Sequence, residues 1–181
     1  RPGDVVLIDR DCHKSHHYGL VLSGAKPVYL DSYHLEEYSM YGGVPLKLIK
    51  NKLNEFKKVG RLDEVKMVLL TNCTFDGVVY NVERYMEEIL AIKPDMVFLW
   101  DEAWFGYARF SSLFRRRTAM CAVRRLHKKY HSEKYRDQYQ RQLESGRSMA
   151  GMPDPDQVKL RVYATQSTHK TLTSLRQGSM I

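Results

Sequence analysis

The stretch Met96-Val97-Phe98-Leu99-Trp100 is a short run of apolar residues that ends at the carboxylate of Asp101. Its length and continuous apolar character predict a strand that is buried on both faces, as strands of parallel sheets usually are. Because ligands of such sheets bind beyond the carboxyl ends of the strands, Asp101 is a candidate site residue. Four further stretches also predict strands, and they cover residues 4–8, 27–30, 65–70 and 158–164.

Amphipathic helices are predicted between these strands. In residues 45–58, Leu46, Ile49, Leu53 and Phe56 recur at a spacing of three to four, which is typical of a helix with one buried face. Residues 13–23 and 82–92 also predict helices, and residues 31–44 predict an irregular loop. The alternation predicts an α/β fold: a mostly parallel sheet with helices on both faces, within one domain.

The basic residues are concentrated in one part of the chain. Between Arg115 and Arg147, eleven Lys and Arg face three acidic residues, and the local net charge of +8 equals that of the whole chain. We interpret residues 115–155 as a helical insertion on the surface. Its Tyr130, Tyr135 and Tyr139 alternate with basic residues and could stack on nucleic-acid bases, but such a run is more often a solvated helix face.

The apolar runs, the cysteines and the two ends of the chain bear on where the protein is found and whether the chain is complete. The apolar runs are far shorter than a membrane span, and no signal peptide is recognisable at the start. Three widely spaced cysteines favour a reducing compartment, and we expect a cytoplasmic protein. The chain begins at Arg1 and ends within apolar sequence at Ile181, so we expect it to be a fragment of a longer protein.

Three chemically distinct side chains follow three of the predicted strands. His13 follows the first strand, Asp101 the fourth and Lys170 the fifth. Together they offer a flat ring, a carboxylate and an amine at one edge of the sheet. Pyridoxal phosphate needs a lysine that bonds to its aldehyde, an acid facing its pyridine nitrogen and a flat group over its ring. The arrangement therefore favours a site for this cofactor.

Four segments resemble a known family in the same order along the chain. They are Asp9-Arg10-Asp11-Cys12-His13-Lys14-Ser15, Thr71-Asn72-Cys73-Thr74-Phe75-Asp76-Gly77-Val78-Val79-Tyr80-Asn81, Trp100-Asp101-Glu102-Ala103-Trp104 and Thr165-Gln166-Ser167-Thr168-His169-Lys170. The family is that of the large bacterial ornithine/lysine/arginine decarboxylases, which depend on pyridoxal phosphate and have the aspartate-aminotransferase type of fold. The resemblance covers nearly the whole chain. It implies that residues 1–181 are part of the cofactor-binding major domain.

The resemblance implies an activity and partners. The reaction would be decarboxylation of lysine, ornithine or arginine to its amine and carbon dioxide, by a homodimer or higher homo-oligomer. Neither a membrane nor a nucleic acid is an expected partner. Two alternatives stay open: another pyridoxal phosphate reaction on the same fold, such as transamination or aldol cleavage, and a basic binding module without catalysis.

The resemblance also implies roles for individual residues. Lys170 would hold the cofactor as an imine, Asp101 would pair with the pyridine nitrogen and His13 would stack on the ring. The phosphate would lie near Ser167 and His169, Ala103 and Trp104 would line the pocket, and Asp76 and Gly77 would form a turn nearby.

The chain also departs from the family pattern. Arg176 stands where a small residue is usual, and the basic segment is longer than in the best-known members. The main phosphate-binding loop would precede Arg1, so we expect the fragment alone to be inactive and to retain the cofactor weakly or not at all. A metal site built on His13 and His17 would lack a third ligand in the sequence.

Overall fold

The computed structural model describes residues 1–175 and 178–181, so Arg176 lies outside the described residues. Six strands form one sheet in the order β2-β1-β5-β6-β7-β8, and β3 and β4 form a separate pair. The strands are β1 (Val5–Asp9), β2 (Lys26–Leu30), β3 (His34–Leu35), β4 (Met40–Tyr41), β5 (Val65–Thr71), β6 (Val97–Asp101), β7 (Arg161–Ser167) and β8 (Ser179–Met180). The helices are α1 (Lys14–Ser23), α2 (Leu46–Lys58), α3 (Val82–Leu90), α4 (Ala119–Tyr130), α5 (Glu133–Glu144) and α6 (Thr168–Thr171).

The first five strands of the main sheet are parallel, and only the short β8 runs antiparallel to its neighbour β7. The predicted α/β fold with a mostly parallel sheet is therefore confirmed. The register brings Thr71 of β5, Asp101 of β6 and Thr165 of β7 side by side at the carboxyl edge. Thr71 and Asp101 of this row line the candidate site, and Thr165 lies beside Asp101.

Helices pack on both faces of the sheet because alternate strand residues point to opposite sides. Leu7 of β1 and Phe98 of β6 belong to the larger core, beneath α2, α3 and α4. Ile8 of β1 and Leu69 of β5 point the other way and pack with Leu20 of α1. The site therefore lies at the edge of a two-sided core.

The prediction of a surface insertion at residues 115–155 is wrong in part. Helix α4 buries Ala119, Ala122, Leu126 and Tyr130 in the larger core. Tyr130 and Tyr135 are 2% and 4% exposed, so neither can be a base-stacking group or part of a solvated face. The lysines and arginines occupy the other side of α4, and the apolar spacing of the helix was hidden by their number.

Two of these cations pair with acids of the preceding helix. Arg125 Nη2 lies 2.6 Å from Glu83 Oε2, and Lys129 Nζ lies 2.5 Å from Glu87 Oε1. Both acids belong to α3, which packs beside α4. Part of the local positive charge is thus compensated by a neighbouring element that is distant in sequence.

Two shorter segments differ from the sequence prediction. Residues 31–44 were predicted as irregular, yet they contain the antiparallel pair of β3 and β4. Strand β7 begins three residues later than predicted and continues to Ser167, so Lys170 lies on the short helix α6 beyond it. Within the described part of the chain, no helix is long and apolar enough to span a membrane.

Candidate functional site

A pocket of about 160 Å³ opens at the carboxyl edge of the sheet. His13, Asp101, Ala103, Trp104 and Lys170 line it, although they come from three separate segments of the chain. Five of the eight residues predicted for the site therefore lie around one cavity. The remaining lining residues are Asp11, Thr71, Cys73 and Phe75.

Asp101 lies at the bottom of this pocket and is 6% exposed. Burial alone would raise the pKa of its carboxyl group, but hydrogen bonds from His16, from the Ala103 N–H and from the Thr165 hydroxyl together lower the pKa below its ordinary value. The Ala103 and Thr165 donors both reach Oδ1 at 3.1 Å. A buried carboxylate that stays ionised at neutral pH can face a cationic group in the pocket.

Lys170 approaches the pocket from α6 and is half-buried. Its ammonium nitrogen lies 4.9 Å from the centroid of the Trp104 ring, a cation–π distance. Trp104 is in turn held by an edge-to-face contact with Phe75, at 5.5 Å between ring centroids. The amine is thus positioned over the cavity by two aromatic residues that follow different strands.

His13 both caps a helix and lines the pocket. Its Nδ1 accepts a hydrogen bond from the Ser15 N–H at 3.3 Å, so the side chain caps the N-terminus of α1. The exposed ring also lines the pocket. Capping fixes one edge of the imidazole and leaves its flat faces available to a ligand.

The other three predicted site residues lie outside the lining of this pocket. Ser167 is the last residue of β7, and the His169 Nδ1 lies 3.2 Å from the Gly178 carbonyl oxygen. Asp76 is exposed on the turn formed by Thr74 and Gly77, where the Gly77 φ of 87° suits glycine. Their proximity to a phosphate stays a prediction.

A buried polar cluster supports the floor of the pocket. Glu102 is fully buried, and its Oε1 accepts hydrogen bonds from Asn72 Nδ2 at 2.9 Å and from the Ala119 N–H at 2.7 Å. Asn72 Oδ1 accepts from the Tyr80 N–H at 3.1 Å. Because these residues follow β5 and β6 and begin α4, the cluster ties the ends of both strands to that helix.

Burial strongly affects the acid of this cluster. It raises the pKa of Glu102, and the hydrogen bonds from Ala119 and Asn72 only partly oppose the shift. Among the described residues, Glu102 Oε2 has no hydrogen-bond partner. The Glu102 carboxyl group therefore has a raised pKa, in contrast to its neighbour Asp101, whose pKa is lowered.

Sequence reasoning missed His16 as a partner of Asp101. His16 Nε2 lies 2.8 Å from Asp101 Oδ2, and since an ionised carboxylate only accepts, the imidazole donates. The signal available was its position one helical turn after His13. His17 points elsewhere, with its Nε2 3.5 Å from Cys12 Sγ, and no group of three or more metal-binding side chains occurs among residues 1–175 and 178–181.

The sequence matches a known protein family. A family model described as "Orn/Lys/Arg decarboxylase, major domain" matches residues 1–133. The biodegradative arginine decarboxylase of Escherichia coli is 34% identical over 98% of this chain, and a lysine decarboxylase of Pseudomonas aeruginosa is 30% identical over 98%. The chain spans about a fifth of the length of these curated relatives, 20% in both cases.

Solved structures show the same fold at low sequence identity. A C–S lyase of Staphylococcus hominis with bound pyridoxal phosphate aligns with 94% of this chain and 33% of its own, at a TM-score of 0.55 and 13% identity. An N-succinyldiaminopimelate aminotransferase of Mycobacterium tuberculosis aligns over the same shares at 0.51 and 10% identity. These likenesses concern the fold, whereas the sequence matches identify the family. The chain belongs to the Orn/Lys/Arg decarboxylase family, and its residues 1–133 match the major domain of that family.

Proposed function

We propose that this chain is part of a longer enzyme that uses pyridoxal 5′-phosphate to decarboxylate a basic amino acid to its amine and carbon dioxide. The observation that carries the proposal is that Lys170, Asp101 and His13 line one pocket at the carboxyl edge of the sheet. Family membership and relatives named as arginine and lysine decarboxylases support it. We further propose that residues 1–181 are a partial cofactor-binding major domain.

The residues around the pocket fit this cofactor. A buried carboxylate with a lowered pKa suits a protonated pyridine nitrogen, and a half-buried amine suits bonding to an aldehyde. The Thr71 hydroxyl is buried in the lining without a partner among the described residues, so it is free to bind a polar ligand group. Bound pyridoxal phosphate would supply an electron-accepting ring that takes up the electron pair left on the α-carbon when carbon dioxide departs.

Each residue then has a defined task. Lys170 Nζ would hold the cofactor through its aldehyde carbon. The Asp101 carboxylate holds a proton at the pyridine nitrogen, and the His13 ring covers one face of the pocket. Ala103 and Trp104 line the wall near Asp101 and reduce the access of water. We propose that Ser167, His169 and Asp76 lie near the cofactor, and that Ser167 and His169 contact its phosphate.

The same proposal also covers the substrate, the location and the oligomeric state of the enzyme. The substrate is lysine, ornithine or arginine, the enzyme is cytoplasmic and it acts as a homodimer or higher homo-oligomer without nucleic acid. The 181 residues alone are expected to be inactive, because they span about a fifth of the length of the curated relatives, 20% in both cases. The paired cations of α4 weaken the alternative of a basic binding module, since Arg125 and Lys129 already contact acids.

The test uses the full-length protein that contains this chain. Incubation with pyridoxal phosphate should give a visible absorbance band, and borohydride reduction followed by peptide mass spectrometry should locate the cofactor on Lys170. Each of the three basic amino acids is then assayed for amine and carbon dioxide. Lys170→Ala should abolish the band and the activity, whereas Lys159→Ala, which changes an exposed lysine before β7, should retain both.

Product chemistry separates the alternatives. A keto acid instead of an amine and carbon dioxide would indicate transamination on the same fold. A Lys170→Ala variant with full activity would refute the mechanism. Salt-sensitive nucleic-acid binding that depends on the basic residues between Arg115 and Arg147, without cofactor binding, would favour the binding module.

A further inference from the structure

We propose that His16 is a positioning residue of this site: its imidazole orients the Asp101 carboxylate so that the one unoccupied lone pair of that group faces the pyridine nitrogen of the cofactor. The inference rests on the proposed function, because it assigns to His16 an effect on how Asp101 receives pyridoxal phosphate. His16 itself is not among the residues that line the pocket, so it acts through Asp101.

The contact joins two elements that are far apart in sequence. His16 lies in the first turn of α1, and Asp101 ends β6, 85 residues later. Their side chains are 11% and 8% exposed, and Nε2 lies 2.8 Å from Oδ2. A hydrogen bond between an imidazole and a carboxylate is strong in such a place because water competes little for either partner.

A count of hydrogen-bond positions shows why His16 matters more than the other donors. A carboxylate offers about four lone-pair positions. The Ala103 N–H and the Thr165 hydroxyl occupy Oδ1, whereas among the described residues only His16 donates to Oδ2. One position on Oδ2 is left for a ligand. His16 therefore determines the direction of the single free acceptor of this carboxylate.

The orientation of the Asp101 carboxylate matters because the rest of the site is fixed. Asp101 is held at the pocket floor by β6, and its neighbours Thr71 and Thr165 are fixed by the register of the sheet. Since Oδ1 is held by the Ala103 N–H and the Thr165 hydroxyl, the position of Oδ2 is the main remaining freedom of the acid. Without His16, Oδ2 would be a buried acceptor with no hydrogen-bond donor, and it would be free to turn toward another donor.

A hydrogen bond to a charged group contributes about 1.5–3 kcal/mol, which corresponds to about a tenfold to hundredfold change in an equilibrium constant. We expect His16→Leu to weaken pyridoxal phosphate binding by this factor. His16→Gln places an amide N–H at a similar reach and should recover most of the loss. His17→Leu is the matched control, because His17 lies on the same helix and contacts Cys12 and Tyr29 instead of Asp101.

The experiment uses the full-length protein stripped of cofactor and titrated with pyridoxal phosphate. The dissociation constant is read from the visible absorbance, and the melting temperature of the cofactor-free protein is recorded in parallel. The expected order of affinity is wild type and His17→Leu, then His16→Gln, then His16→Leu. If His16→Leu does not fold, His16→Asn replaces it, because its amide is one carbon shorter and falls short of Oδ2.

A double-mutant cycle with Asp101→Asn provides the decisive comparison. If His16 acts through Asp101, His16→Leu should change the dissociation constant by less than about twofold in the Asp101→Asn background. A full effect in that background, or His16→Leu binding within about twofold of wild type, would overturn the inference. A purely structural role would lower the melting temperature of His16→Gln and His16→Leu equally and leave their affinities equal.

Failure of the proposed function has a different signature. If borohydride reduction fixes no cofactor on Lys170 of the wild-type protein, the function assigned to the pocket is wrong, whatever His16 does. If the adduct forms in wild type and in every His16 variant with unchanged affinity, the function stands and only the role of His16 is refuted.

Discussion

The ammonium group of Lys170 lies 4.9 Å from the centroid of the Trp104 ring, and this contact connects α6 to the segment that follows β6. An aromatic face stabilises the charged form of an amine and also restricts the side chain to one region of space. The contact makes the reactivity of Lys170 depend on Trp104.

Trp104→Leu should therefore make Lys170 more reactive toward amine-modifying reagents. A cation–π contact at an exposed site contributes about 0.5–1 kcal/mol, so the modification rate should rise about twofold to fivefold. Mass spectrometry of peptides after a timed acetylation measures the rate, with exposed Lys159 as the internal reference. Trp104→Phe, which keeps an aromatic face, should lie between wild type and Trp104→Leu, and equal rates in all three would contradict the contact.

Packing beneath α6 gives a second prediction. A Cβ added at Gly106 would lie 3.0 Å from Leu172 Cδ1 and 3.2 Å from Thr171 Oγ1, so Gly106→Ala should push the end of α6 away from the pocket. We expect cofactor affinity of the full-length protein to fall several-fold with little loss of thermal stability. Gly19→Ala is the control, since its added Cβ meets nothing within 4 Å. An unchanged cofactor affinity in Gly106→Ala would show that α6 accommodates the added methyl group without displacing Lys170.

Glu102 should make stability depend on pH. Because burial raises its pKa, the neutral acid contributes stability that is fully present below its ordinary value of 4.5 and is lost as pH rises through the folded-state pKa. Glu102→Gln cannot ionise, so its unfolding free energy should fall less than that of wild type between acidic and neutral pH. Urea unfolding at a series of pH values measures this, and Glu37→Gln, an exposed acid, should behave as wild type.

Removal of the Glu102 side chain should be more severe. Glu102→Ala leaves Asn72 Nδ2 and the Ala119 N–H without their shared acceptor, at a cost of about 1–3 kcal/mol of unfolding free energy. The same urea experiments report it. A loss no larger than that of Glu102→Gln would mean that water replaces the missing acceptor.

Two buried tyrosines should respond oppositely to loss of their hydroxyl groups. Tyr135 donates to the Pro153 carbonyl oxygen at 2.9 Å, so Tyr135→Phe should cost about 0.5–1.5 kcal/mol. The buried hydroxyl of Tyr130 has no partner among the described residues, so Tyr130→Phe should be neutral or stabilising. Thermal unfolding of both variants tests the pair, and the reverse order would contradict the packing of α4 against α5.

The sequence indicated much of the fold because the signals were local. Continuous apolar runs predicted β1, β5 and β6, and the three-to-four spacing around Ile49 and Leu53 predicted α2. The core role of α4 was missed because eleven basic residues within and around it outweighed the apolar spacing of Ala122, Leu126 and Tyr130. A helix stripe buried by tertiary packing does not need a high average hydropathy.

The site was predicted in part for a similar reason. Asp101 ends a strand, and His13 and Lys170 each follow one, so parallel topology brings them to one edge. The link between His16 and Asp101 depends on the rotation of α1 about its axis, and the buried cluster of Asn72 and Glu102 depends on where α4 begins. Neither property is encoded in the local pattern around those residues.

The hydrogen bond from the Ala119 N–H to Glu102 has a consequence for how this region tolerates changes in length. The start of α4 is fixed to the ends of the strands beneath the pocket, whereas α5 contributes Tyr135 to the larger core and leaves most of its other side chains exposed. Additions and deletions between β6 and β7 should therefore be accommodated beyond α4, in α5 and the turn that follows it. If the basic region is shortened by engineering, a deletion after α4 should leave the pocket intact. A deletion of the first turn of α4 would remove the hydrogen bond that supports the pocket floor.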